Sequence, residues 1–275
     1  MVNYRDPAVV AQDTWAVSKI SHAVAGLYFW EFFTTLDYEW SVIRGRREYR
    51  WTIWIYLTTR MATLIAMILC LIGVDVTAHY NCEVRVFHMF AYLVIAAASL
   101  LIVLRIVAIW KRKKIVTAIA TGVWGINLTF LIQSIVHGEW SPTLSTCVLV
   151  NLHTAELSLI VLLSTDTILL HIMAIGLFRL GFHERSAFGV GRLLWRQGLI
   201  WLLVATIAEI VPVVFICLNL NEPFNLMFQI PSMVTLSIAA TRIHRGLVDY
   251  TSGSTEQYDI APSHSSQRSL IDVVA

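Results

Sequence analysis

The apolar residues of this chain are gathered into blocks of about 20, the number a helix needs to cross roughly 30 Å of hydrocarbon. The blocks fall near 15–40, 51–74, 86–110, 115–136, 154–178, 194–219 and 223–243. Continuous runs rather than period-two alternation exclude a β-barrel. Composition points the same way: of 275 residues, 57% are hydrophobic and 14% charged, against about 25% charged in a soluble domain. The expected fold is all-α, an integral membrane bundle of seven transmembrane helices. The expected layout is a short extracellular segment over 1–14, the seven-helix domain over 15–245 and a disordered cytoplasmic tail over 246–275. Nothing before Trp15 reads as a cleavable signal peptide, so the first span is expected to act as its own insertion signal.

Basic residues are retained on the cytoplasmic side of short loops, and their placement gives the orientation. Arg44, Arg46, Arg47 and Arg50 follow the first block, Lys111 to Lys114 the third, and Arg179, Arg185, Arg192 and Arg196 the fifth. The opposite face has Arg5 and Arg85 and little else. The N-terminus is therefore expected outside and the C-terminus in the cytoplasm. A net charge of +2 conceals this asymmetry; the arginines set topology and meet anionic headgroups rather than nucleic acid.

Cys70 and Cys217 lie within blocks, where a thiol is a small apolar residue. Cys82 and Cys147 both fall on the oxidising side and form the one plausible disulfide, which would pin the second outer loop over the mouth of the bundle.

Acids inside the apolar blocks are the next constraint. Glu31 lies about nine residues above the cytoplasmic end of the first block, roughly 13 Å at 1.5 Å per residue, and Arg60 lies equally deep in the second. A lone charge at that depth costs about 2.5–3.5 kcal/mol, so Glu31 and Arg60 are expected to pair within the bilayer. Asp37 and Glu39 lie within a turn of the interface and are expected to be solvated partners of the arginines that follow.

The stretch "FFTTLDYEWSVIRGRREYRWTIWIYLTTRMATLI" resembles the N-terminal signature of a family of fungal, chiefly mushroom-forming, multi-pass membrane proteins defined by a domain of unknown function. The features that recur in that family fall here on Glu31, Thr35 to Glu39, Arg44 to Trp51 and Arg60. The resemblance continues on Arg105 and Ala108 and on Thr241, Arg242 and Arg245, and departs from the family in Glu31, where Asp is expected, and Thr59, where Asn is common. It implies seven helices and a membrane location, and no reaction, ligand or partner.

Asp166 lies about twelve residues, roughly 18 Å, below the outer edge of the fifth block, and Glu209 about ten residues, roughly 15 Å, below that of the sixth. Pro212 should loosen the helix that carries Glu209. Gln229 and Pro231, His88, Trp124, Asn127 and Gln133 add polarity, most of it toward the outer half. Either these groups are interhelical hydrogen bonds, or His88, Trp124, Asn127, Asp166, Glu209 and Gln229 line a pocket for a small ligand.

The leading expectation is a receptor-like sensor with a small-molecule ligand and a cytoplasmic signalling partner at the basic loops and tail, in the plasma membrane. The coupling motifs of common receptors are missing: no acid precedes Arg105, the seventh block has no Asn-Pro-x-x-Tyr segment, and its lack of Lys rules out a retinal Schiff base at the usual position. A proton or solute transporter using the midplane carboxylates is the alternative, although no internal repeat supports alternating access. An intramembrane enzyme comes third, because the histidines are scattered and no His-x-x-x-His spacing offers a metal site. No cofactor is expected. Asn127-Leu-Thr129 matches a glycosylation pattern but sits inside a block. Ser254, Thr255, Ser265, Ser266 and Ser269 in the tail are candidate phosphorylation sites.

Overall fold

A computed structural model describes residues 6–45, 51–75, 83–110, 113–137, 140–141, 148–149, 152–183, 189–218 and 227–259. Among these, the chain forms a long helix α1 (Pro7–Thr34), a short α2 (Leu36–Ile43), and then α3 (Thr52–Asp75), α4 (Glu83–Ile109), α5 (Lys114–His137), α6 (Leu152–His183), α7 (Gly189–Leu218) and α8 (Gln229–Asp259). The architecture is helical apart from a two-residue antiparallel ladder between β1 (Trp140–Ser141) and β2 (Val148–Leu149). The candidate disulfide pair, Cys82 and Cys147, lies outside the described residues.

Local signals explain where the first helices start and stop. Asp6 caps α1 by accepting from the Ala8 amide at 3.0 Å, and Pro7 occupies the first turn, where its missing N–H costs nothing. The helix therefore begins within the segment expected to precede the first span. It ends at Thr34 because the Thr34 and Thr35 hydroxyls both donate to the Glu31 carbonyl, competing with the main-chain ladder, and Thr35 leaves helical geometry at φ −112°. The chain restarts as α2, so the block read as one span from 15 to 40 is two helices joined at a bend.

Three helical segments are long and apolar enough to cross a membrane: Thr52–Gly73, Val86–Ile109 and Lys114–Ile135. Shorter apolar stretches, Ile160–Gly176 in α6 and Leu203–Leu218 in α7, fall below that length among the described residues. Large apolar side chains such as Trp30, Phe33, Trp54, Ile119, Ile126 and Leu203 are exposed on the outside of the bundle. In water this would be an unstable surface; hydrocarbon is the solvent that suits it.

α4 and α8 are central. α4 packs against α3, α5, α6 and α8, while α8 packs against α1, α3, α4 and α7. One core cluster joins Leu101, Ile106, Leu169, Met173 and Leu236, and a second joins Tyr28, Phe32, Met67, Val94 and Val234. Gly176 lets α6 close on the end of α4: a Cβ there would stand 2.7 Å from both the Ile109 side chain and the Trp110 indole nitrogen. α8 continues through Tyr250 to Asp259, past the point where a disordered tail was expected to begin; a helix nucleated by a packed segment propagates at little cost per residue.

Candidate functional site

Two polar centres stand out, and α8 contributes to both. The first lies where α1, α2, α3 and α8 meet. Glu31 of α1 receives three donors from α8: the Arg242 Nε at 2.8 Å on Oε1, the Arg245 Nη2 at 2.8 Å on the same oxygen, and the Arg242 Nη2 on Oε2. Arg242 also lies over the Trp201 ring of α7, 4.4 Å from its centroid. The fork of the guanidinium matches both carboxylate oxygens at once, which fixes geometry as well as charge.

Arg60 of α3 has a different partner from the one its depth suggested. Its Nη1 pairs with Glu39 Oε1 at 2.7 Å and donates to the Tyr56 hydroxyl at 2.9 Å, and its Nη2 donates to the Phe32 carbonyl at 2.8 Å. That carbonyl belongs to the last turn of α1, where only the long bonds from the Thr35 amide at 3.4 Å and hydroxyl at 3.3 Å compete for it. The Tyr28 hydroxyl donates to the Arg60 carbonyl at 2.8 Å, and His244 of α8 stacks on Tyr56 with ring centroids 5.3 Å apart. The expected Glu31–Arg60 pair is therefore corrected: Glu31 is taken by α8 and Arg60 by α2. The break at Thr35 is the physical reason, since it starts a separate helix, α2, whose Glu39 meets Arg60. Glu39 itself is only 6% exposed rather than solvated, whereas Asp37 is exposed as expected.

The second centre lies between α4, α5, α6, α7 and α8. Asp166 of α6 is buried, and its Oδ1 accepts from the Ser99 hydroxyl of α4 at 2.6 Å and from the Asn127 amide of α5 at 3.3 Å. Glu209 of α7 is 3% exposed, and neither of its carboxyl oxygens has a hydrogen-bond partner among the described residues. Both acids line a cavity of about 50 Å³ with Gln229 and Ser232 of α8 and apolar side chains including Leu163 and Met233. Pro212, one turn after Glu209, also lines it; lacking an N–H, it deprives the Ala208 carbonyl of its helical donor.

The residues expected to line a pocket are thus only partly brought together. Asp166, Glu209 and Gln229 share the cavity, and Asn127 reaches it through Asp166. His88 packs edge-on against Phe87 and Tyr92, and the Trp124 indole donates to the Ala96 carbonyl at 3.1 Å, so neither is among the lining residues. Gln133 is exposed. Sequence reasoning missed Ser99, Ser232, Tyr56 and the role of Arg242 and Arg245 as the acceptors' partners. Ser99 carried a faint signal, a hydroxyl in the otherwise apolar run "AAASLL".

The two centres lie on one helix, α8. Between the cavity residues and the arginines, Ser237 shares a 2.8 Å hydrogen bond with Thr63 of α3, and between Arg242 and Arg245 the Ile243 carbonyl accepts from Arg105 of α4. No protein-family model matches the chain, and no curated protein matches it.

Proposed function

We propose that this chain is a receptor-like sensor of the plasma membrane, with seven spans, its N-terminus outside and its C-terminus in the cytoplasm. The Asp166–Glu209 cavity is its input and the Glu31–Arg242–Arg245 network its output. One observation carries the reading: a single unbroken helix, α8, supplies both the wall of the cavity and the two arginines that hold Glu31. A change in the cavity that displaces α8 bears directly on how α1 is held at the other end. Coupling of this kind needs two sites and a shared element with two arrangements. The basic residues expected in the cytoplasmic loops would supply a surface for an acidic cytoplasmic partner.

The cavity limits what the input can be. Organic ligands occupy about 300–1,000 Å³, far more than is open here, whereas a water needs only about 10–15 Å³ of such space. The input is therefore a small species, or a larger one admitted when the Pro212 region yields. Resemblance to the fungal membrane family is compatible with this reading, and it rests on residues of the output network, Glu31, Glu39, Arg60, Arg242 and Arg245.

The test uses spin labels at positions 37 and 246, with the four native cysteines, Cys70, Cys82, Cys147 and Cys217, replaced by Ala, in full-length protein in nanodiscs. The sensor reading expects Asp166→Asn and Glu209→Gln to alter the distance distribution between α2 and α8. An unchanged distribution in both variants overturns it. The unpartnered Glu209 favours one second reading, proton or cation translocation. That reading expects flux in proteoliposomes, abolished by Glu209→Gln.

A further inference from the structure

We propose that the cavity between Asp166 and Glu209 is a binding site for one small monovalent cation, of which Na⁺ is the best fit. The inference deepens the sensor reading by naming its input. Its test is a binding measurement that reads no signalling output, so the two can fail separately.

Charge balance around the cavity leads to the proposal. Asp166 is served by two donors, Ser99 and Asn127, which satisfy one of its oxygens from within the protein. Glu209 is served by none among the described residues, and the lining residues include no Lys, Arg or His. Burial without a partner is costly for a carboxylate, and natural proteins pair such groups or use them to hold cations. The contrast with Glu31, three donors on one carboxylate, shows that this fold compensates an acid fully where the acid is structural.

Donor type and space select the cation. The wall offers hard oxygens: the carboxyl groups of Asp166 and Glu209, the Gln229 amide and the Ser232 hydroxyl. There is no Cys or His in it, so a soft transition metal lacks its preferred ligands. Ca²⁺ takes six to eight oxygens, and Mg²⁺ keeps several waters in an octahedral shell. With one Asp166 oxygen engaged, the free side-chain oxygens left in the wall, on Asp166, Glu209, Gln229 and Ser232, are fewer than the shell Ca²⁺ takes, and about 50 Å³ does not hold the several waters Mg²⁺ keeps. A monovalent cation with one or two retained waters matches the space, and its charge offsets Glu209, the carboxyl group that no donor serves among the described residues; Ser99 and Asn127 serve Asp166 with neutral donors.

Thermal unfolding of the full-length chain in detergent, with NaCl replaced stepwise by choline chloride at constant ionic strength, measures the binding. The expected result is a midpoint that rises by an equal step for each tenfold increase in Na⁺ above its dissociation constant, with K⁺ less effective. Glu209→Gln should abolish the step, and Glu31→Gln should keep it whatever its own midpoint. If Glu209→Gln does not fold, Gln229→Ala and Ser232→Ala should shift the step to higher Na⁺ by withdrawing ligands. A midpoint independent of Na⁺ in the native chain, the outcome if the site holds only a proton, overturns the proposal. So does a Na⁺ step that survives in Glu209→Gln, or in both ligand variants.

Discussion

Glu31 and Glu209 are both glutamates buried within helices, yet the protein treats them in opposite ways. Glu31 collects three guanidinium donors from α8, while Glu209 collects none among the described residues. A buried ion pair is a poor source of net stability, but breaking one is expensive because it strands a charge. An acid left unserved has no such structural use. The comparison therefore separates a centre that holds helices together from one kept ready for something the chain itself does not supply.

The largest effect that would break this comparison is expected at Arg60. Arg60→Ala strands Glu39 and removes donors from the Tyr56 hydroxyl and the Phe32 carbonyl, so unfolding in detergent should show a loss of about 3–5 kcal/mol. An Arg60→Ala chain as stable as the native one would show that the network does not hold α1, α2 and α3.

A charge swap sharpens the partner assignment. Glu31→Arg alone should lower the yield of folded protein sharply, and adding Arg242→Glu should restore part of it. Adding Arg60→Glu instead should restore nothing, because Arg60 pairs with Glu39. Rescue by the Arg60 variant and not by the Arg242 variant would reverse the assignment made here.

Smaller effects are expected where packing rather than charge is changed. Gly176→Ala forces a Cβ against Ile109 and Trp110 and should cost about 1–3 kcal/mol, read as a lowered unfolding midpoint. Thr63→Val removes the hydroxyl bond to Ser237 between the two centres, and a cost of about 0.6 kcal/mol is expected from comparable bonds between membrane helices. A cost several times larger would mean that this single contact carries more of the coupling along α8 than its geometry suggests.

The positions of the helices could be read from the chain because apolar block length is a one-dimensional signal: α3, α4 and α5 lie within a few residues of their expected bounds. Relative height along the bundle could be read too, since rise per residue is constant, and Asp166 and Glu209 line one cavity. Pairing could not. Glu31 and Arg60 have the same height, but height leaves the direction around each helix open, and the true partners of Glu31 lie 211 and 214 residues away in α8. The bend at Thr35 was equally hidden, because two adjacent threonines in an apolar run are more often neutral passengers than helix stops.

The central claim, that one buried acid is structural and the other is reserved for an external charge, is tested by unfolding Glu31→Gln and Glu209→Gln side by side in Na⁺-free choline buffer. Glu31→Gln loses charge-assisted bonds and should fall by about 1.5–3 kcal/mol. Glu209→Gln removes an uncompensated acid and should leave stability unchanged or raise it. A loss in Glu209→Gln equal to that in Glu31→Gln would contradict the account, because Glu209 would then be held by the protein in the same way as Glu31.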